Sequence, residues 1–187
     1  MATIAERQYT PEDLLRITDR LMPELIDGRL VEREPVGQKA DAIVTRLLGW
    51  VGNFVAMHDL ELINGAQGSY QIFPDAPQKV RIPDGSFTRR DRLPAEGPAK
   101  GHARVAPDLV VQVVSPNDTA TELDEKIEDF FAAGVPLIWL LNPERCTVQV
   151  YRRDGTSTRL RPGDMLDGED VLPGFRCDVA RLFAGIG

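Results

Sequence analysis

Cysteine and histidine are scarce in this chain, with two of each in 187 residues. Cys146 and Cys177 lie far apart and lack metal-ligand or CxxC spacing, so they read as reduced thiols of a cytosolic protein and exclude a disulfide framework. His58 and His102 leave little material for a His-based zinc site or a Ser-His-Asp triad. Neither GxxxxGK[ST] nor GxGxxG follows a strand, which excludes those two phosphate-cradling loops. No apolar run approaches the roughly 18–20 residues that span a bilayer. The first residues, Met1 to Arg7, lack the apolar core of a signal peptide, so a cytoplasmic location with no membrane partner is expected. Basic residues are in the minority, 22 Lys and Arg against 29 Asp and Glu for a net charge of −7, which argues against a general polyanion binder. Positive charge is instead local: Arg89, Arg90, Arg92, Lys100, His102 and Arg104 cluster with only Asp91 and Glu96 among them. Such a segment either meets phosphates or is a solvated loop.

No repeat, low-complexity segment or linker divides residues 1–187, so a single domain is expected. The length suffices to bury a core without disulfide or metal staples, and 42% apolar with 27% charged residues is ordinary for a globular chain.

The richest stretch runs from Pro107 to Pro143. Its first part, Asp108-Leu109-Val110-Val111-Gln112-Val113-Val114, has the β-branched composition of a strand. Side chains alternate along a strand, so Asp108, Val110, Gln112 and Val114 share one face and Leu109, Val111 and Val113 the other. A buried amide without a partner costs on the order of 1–3 kcal/mol. Gln112 therefore has hydrogen-bond partners, touches water in a cleft or faces a ligand. An amphipathic helix carrying Lys126 follows, then Gly134 and a second apolar run, Leu137 to Leu141, which completes a strand-helix-strand unit.

The rest of the chain divides by turn signals. Thr10 and Pro11 mark a helix start, with Leu14, Leu15 and Ile17 on its apolar side and an end expected near Arg20. Glu24 to Glu32 reads as two short strands about Asp27-Gly28, a strong hairpin signal. Lys39 to Met57 is the longest helix candidate, with Ile43, Leu47, Trp50, Val51, Phe54 and Val55 at three- and four-residue spacing. Glu61 to Phe87 becomes short strands broken by Gly and Pro, ending in a strand at Ser86-Phe87, and Arg89 to Ala106 reads as a loop. Asn142 to Arg145 is a turn into the alternating segment Cys146 to Tyr151, so an antiparallel hairpin is expected. The tail offers a short strand or loop at Asp170 to Phe175 and a last turn at Val179 to Phe183. Trp50 and Trp139 lie inside apolar patterns and read as core.

Acidic residues on neighbouring strands are how a compact α/β core holds Mg²⁺, a hard ion that wants oxygen ligands and keeps several waters. A nearby lysine then stabilises charge on a phosphate or helps activate water. Asp84, Asp108, Gln112 and Lys126 are the candidates here. At about 100° per residue, Leu123, Ile127, Phe130 and Phe131 form an apolar arc with Lys126 at its edge. Its ammonium either reaches inward, or snorkels to solvent and pairs with Glu122. Asp84, between Pro83 and Gly85, is a metal-site candidate or a turn cap. Asp108 has the competing role of opening its strand, and Glu24 that of a solvated charge beside a hairpin.

At these residues the chain resembles the Uma family of restriction-endonuclease-like proteins, within the PD-(D/E)xK nuclease superfamily. The resemblance spans nearly the whole chain, through Glu24 to Glu32, Pro83-Asp84, Pro107 to Asp118, Glu125-Lys126, Ala133-Gly134-Val135, Trp139 to Pro143 and Leu172 to Phe175. It implies an α/β (α+β) fold in which a mixed β-sheet is flanked by helices, with additional hairpins near each terminus. It also implies Mg²⁺- or Mn²⁺-dependent hydrolysis of DNA phosphodiester bonds. By that resemblance Asp84 is the metal-binding aspartate, Gln112 the second metal position, Lys126 the lysine moved onto the following helix (Val114 stands where the lysine usually is), and Glu24 a supporting glutamate. Arg89, Arg90 and Arg92 become possible DNA contacts. Nucleases of this fold often form homodimers, although no coiled coil or apolar stripe for one is visible. Two departures matter: Gln112 stands where the family pattern has Glu, and Phe130 where it often has Tyr. A Gln carbonyl can coordinate a metal but brings no charge, so metal affinity should fall. A catalytically inactive nuclease fold that binds nucleic acid or regulates is the alternative, and an oligomerisation module without a nucleic-acid role is a third reading.

Overall fold

The computed structural model describes residues 8–17, 23–33 and 37–186. Its longest helix, α2 (Gln38–His58), follows a short helix α1 (Pro11–Leu14) and ends where Asp59 turns left-handed at φ 54°. Ile43, Val44, Leu47, Val51 and Val55 form one buried stripe along α2. Fully burying such a side chain contributes roughly 1.5–3 kcal/mol, enough together to outweigh the helix-weakening Gly49 and Gly52, which cost about 1 kcal/mol each. The observed bounds extend the expected helix by one residue at each end.

Six strands form the central sheet in the order β3-β4-β5-β6-β7-β8. They are β3 (Glu61–Gly65), β4 (Gly85–Arg89), β5 (Leu109–Val113), β6 (Leu137–Asn142), β7 (Thr147–Arg152) and β8 (Ser157–Leu160). The β5/β6 pair is parallel and every other neighbour is antiparallel. A parallel pair needs a long crossover, supplied here by α3 (Ala120–Ala132). The strand alternation sorts the core as expected. Leu109, Val111 and Val113 pack toward α2 with Trp139 and Val150, while Val110 packs toward Ile127 and Phe130 of α3. The sheet is thus mixed and covered on both faces, in agreement with the expected architecture. Trp139 is fully buried, whereas Trp50 is half-buried under Arg181.

Two small hairpin-like sheets lie outside the six strands. Strands β1 (Glu24–Ile26) and β2 (Arg29–Val31) pair about Asp27 and Gly28, both with positive φ (50° and 76°), the two-residue turn that Asp-Gly favours. Near the other end β9 (Met165–Asp167) pairs with β10 (Arg176–Asp178) ahead of α4 (Val179–Phe183). Three details differ from the sequence reading. The first helix stops at Leu14 rather than near Arg20, which lies outside the described residues: Leu15 is 49% exposed, while Ile17, past the helix end, still packs against Leu14, Leu25 and Val80. In the tail Asp170 to Phe175 takes the loop alternative, and the two strands that flank it were not expected. They and β8 escape a periodicity reading because each has three or four residues, and β9 and β10 bury only their central one. The loop after Arg89 contains a 3-10 turn, Arg90–Arg92.

Candidate active site

The β4/β5 register creates the site. Gly85 pairs with Val111, so one step earlier Asp84 faces Gln112 across the strands. Gly85 lets β4 approach α2: a Cβ there would lie 2.7 Å from Leu48 Cδ2. Asp84 is 3% exposed. Its Oδ2 accepts from Gln112 Nε2 at 2.6 Å and from the Val113 backbone N–H at 2.8 Å. Its Oδ1 accepts from Arg33 Nη2 at 3.0 Å. Asp84 is thus a cross-strand acceptor rather than a cap of its own turn. Burial pushes its carboxyl above the ordinary value of 3.8; Lys126, the Val113 N–H and Arg33 pull downward without cancelling the rise, to which Asp118 adds.

Gln112 uses only half of its amide. Nε2 is bonded to Asp84, but Oε1 is buried with no hydrogen-bond partner. A buried unpartnered acceptor costs on the order of 1–3 kcal/mol; Gln71 Oε1 and Trp139 Nε1 share this state, but of the three residues only Gln112 borders the cleft that also holds Asp84.

Lys126 takes the inward alternative. Its Nζ donates to Glu24 Oε1 at 2.8 Å and to the Ile82 carbonyl at 2.9 Å. Glu122 is instead engaged in a capping box with Thr119 at the start of α3. Glu24, far from being solvated, is 4% exposed. It also accepts from the Ile82 N–H at 2.8 Å and from Arg81 Nη1 at 2.9 Å. Arg81 continues to Asp129 at 2.6 Å, which Lys79 reaches at 2.5 Å. Burial alone would raise the Glu24 carboxyl, but Lys126 and Arg81, with the hydrogen bonds from Lys126 and Ile82, outweigh it and hold the group below its ordinary 4.5.

These side chains line a cleft of about 430 Å³. Asp84, Gln112, Lys126 and Glu24 all border it, although they come from β4's leading edge, β5, α3 and β1. Sequence reasoning missed Arg33, Arg81 and Asp129. Arg81 had a signal, a charge between Val80 and Ile82 that are both fully buried; Asp129 stands one helical turn beyond Lys126. Arg33 sits in a charge-rich run and had none. Among the described residues no group of three or more His, Cys, Asp or Glu side chains is arranged to hold a metal.

Arg89, Arg90 and Arg92 lie at the other end of β4, five residues and so about 16 Å from Asp84 along the strand. Asp108, fully buried, accepts from the Arg89 backbone N–H at 2.9 Å, from Arg92 Nη1 at 3.0 Å and from Arg89 Nε at 3.2 Å. Arg90 pairs with Asp59 at 2.5 Å. Asp108 is thus the anchor of this loop, remote from Asp84. Replacing Arg92 by Ala is expected to destabilise the fold by about 1–3 kcal/mol, because a buried carboxylate loses a charged donor; urea denaturation checks this.

The family model Uma2, described as "Putative restriction endonuclease", matches residues 11–180. A crystal structure described as "a putative nuclease belonging to DUF820 from Anabaena variabilis ATCC 29413" aligns with a TM-score of 0.82 at 19% identity, over 95% of this chain and 99% of that one. At that identity the likeness establishes a shared fold. No curated protein matches the sequence. Among the described residues no helix is long and apolar enough to cross a membrane.

Proposed function

The chain belongs to the Uma2 family, and on that premise we propose that it is a cytoplasmic endonuclease that hydrolyses DNA phosphodiester bonds with Mg²⁺ or Mn²⁺ at the Asp84 cleft, acting alone or as a homodimer. One observation carries this reading: Gln112 Oε1, buried and unpartnered, shares the cleft with the Asp84 carboxylate and Lys126. A divalent ion held by Asp84 and the Gln112 carbonyl would satisfy that oxygen. With one carboxylate and one neutral oxygen the donor set fits Mg²⁺, which keeps waters and takes substrate phosphate oxygens, but only at reduced affinity. When bound, the ion would polarise the phosphate and lower the pKa of a coordinated water.

The chain's own groups have separable tasks. Lys126, held between Glu24 and the Ile82 carbonyl, positions the phosphate and stabilises the charge that grows on it. Glu24 orients Lys126 and stays off the reacting atoms. Arg89 and Arg90, with side chains 45% and 57% exposed, serve as outer phosphate contacts, while Arg92 chiefly holds Asp108.

A second reading has its own support. The 2.6 Å bond from Gln112 Nε2 to Asp84 makes the pair attractive without any cation, which favours a nuclease fold that binds or regulates without cutting. Purified protein incubated with Mn²⁺ and supercoiled, linear or single-stranded DNA separates the two, with Asp84→Ala prepared in parallel. The nuclease reading expects cleavage that the variant loses. DNA binding without cleavage, unaffected by Asp84→Ala, selects the second reading.

A further inference from the structure

Asp84 already has a cation. Arg33 Nη2 stands 3.0 Å from Asp84 Oδ1, and the same guanidinium donates through Nη1 to the Ala66 carbonyl at 2.9 Å. Its side chain is 15% exposed. Arg33 is therefore fastened between the site and the turn after β3, with its charge on the one carboxylate oxygen that Gln112 and Val113 do not use. A nuclease site with two carboxylates has charge left for a divalent ion after one guanidinium is satisfied. Here Gln112 is neutral, and Lys126, the other cation that acts on Asp84, is paired with Glu24 at 2.8 Å, so the Asp84–Arg33 pair is balanced as it stands, and a dication entering beside Arg33 would meet like charge at short range in a buried setting.

We propose that Arg33 is the resident counter-ion of this cleft and competes with the divalent metal for Asp84, so that metal enters only as the guanidinium lets go. The inference rests on the metal-binding reading above, and it makes Arg33, as well as Gln112, a determinant of metal affinity. The rim acids Glu32, Asp118, Glu122 and Glu125 attract cations to the mouth of the cleft; Arg33 excludes them from its floor.

Free Mn²⁺ is titrated by electron paramagnetic resonance against the full chain and Arg33→Gln, and melting temperature is followed with and without Mn²⁺. Arg33→Gln is expected to bind Mn²⁺ about tenfold more tightly than the natural protein, within the usual range of coupling between two competing sites. It also melts lower without metal, because Asp84 loses its partner, and regains more than the natural protein when Mn²⁺ is added. Equal or weaker Mn²⁺ binding by Arg33→Gln overturns the proposal and leaves Arg33 as a clamp on Ala66. Should the variant not fold without metal, recovery on refolding with Mn²⁺ supports the proposal, and equal failure with Mn²⁺ overturns it. The two readings fail separately. Tight Mn²⁺ binding by Arg33→Gln with no DNA cleavage keeps the competition and removes the nuclease, whereas cleavage by the natural protein with unchanged Mn²⁺ affinity in the variant does the reverse.

Discussion

Glu24→Ala is expected to destabilise the protein by about 3–5 kcal/mol, the usual cost of breaking a buried ion pair by removing one partner. Glu24 accepts from Arg81, Lys126 and the Ile82 N–H, all in a part of the molecule where its own side chain is 6% exposed. Without it Lys126 keeps only the Ile82 carbonyl among these partners, while Arg81 keeps Asp129, which limits the damage on that side. Glu24→Gln preserves an acceptor but no charge and should fall between. Urea denaturation of the three proteins measures the series, and a loss below about 1 kcal/mol in Glu24→Ala would mean that water screens the network as it does surface pairs. The pH dependence has a definite sign. Because Glu24 is held below its ordinary 4.5 in the folded protein, the unfolded chain binds its proton more readily. The ion-pair contribution is therefore fully present above pH 4.5 and is lost as the pH falls through the lower folded value. The stability curve of Glu24→Gln should lack that acid-side fall.

Gln112→Glu is expected to change stability in opposite directions with and without metal. A carboxylate in place of the amide loses the 2.6 Å donation to Asp84 and sets two carboxylates side by side, which near neutrality only a shared proton or a cation relieves. Without metal the variant should be less stable by roughly 1–3 kcal/mol, the cost of an unsatisfied buried polar group. With Mn²⁺ the added charge should tighten binding by at least about tenfold, since site charge governs affinity for hard cations, and stability should be regained by mass action. DNA cleavage should appear or rise in the same titration. Melting temperatures across a Mn²⁺ series, with a nuclease assay on the same samples, provide the check. A variant that is neither destabilised without Mn²⁺ nor responsive to it would show that the cleft has lost its metal chemistry beyond this one position.

How much of this site was legible beforehand varies residue by residue. The Asp-Gly turn, the α2 stripe and the sorting of β5 between two cores are short-range consequences of side-chain spacing and backbone preference, and they appear where expected. Gln112 stood out because an amide interrupts an apolar strand; Lys126 stood out because helical spacing put it at the edge of a buried arc. Its choice of Glu24 over Glu122 was not readable, because both acids satisfy the charge and only packing selects between them. The Arg89 to Arg92 cluster was visible as charge, yet its attachment to Asp108 was not.

The amino-acid sequence by itself determined the longer elements, the faces they bury and, through many short motifs in order, the family. Tertiary structure alone decided the partners: Arg33 reaches Asp84 across 51 positions and Arg81 reaches Glu24 across 57. The physical reason is range. Secondary structure follows from interactions within a few residues, whereas a buried charge is answered by whichever opposite charge the packed chain brings within about 3 Å, and no local pattern encodes that meeting.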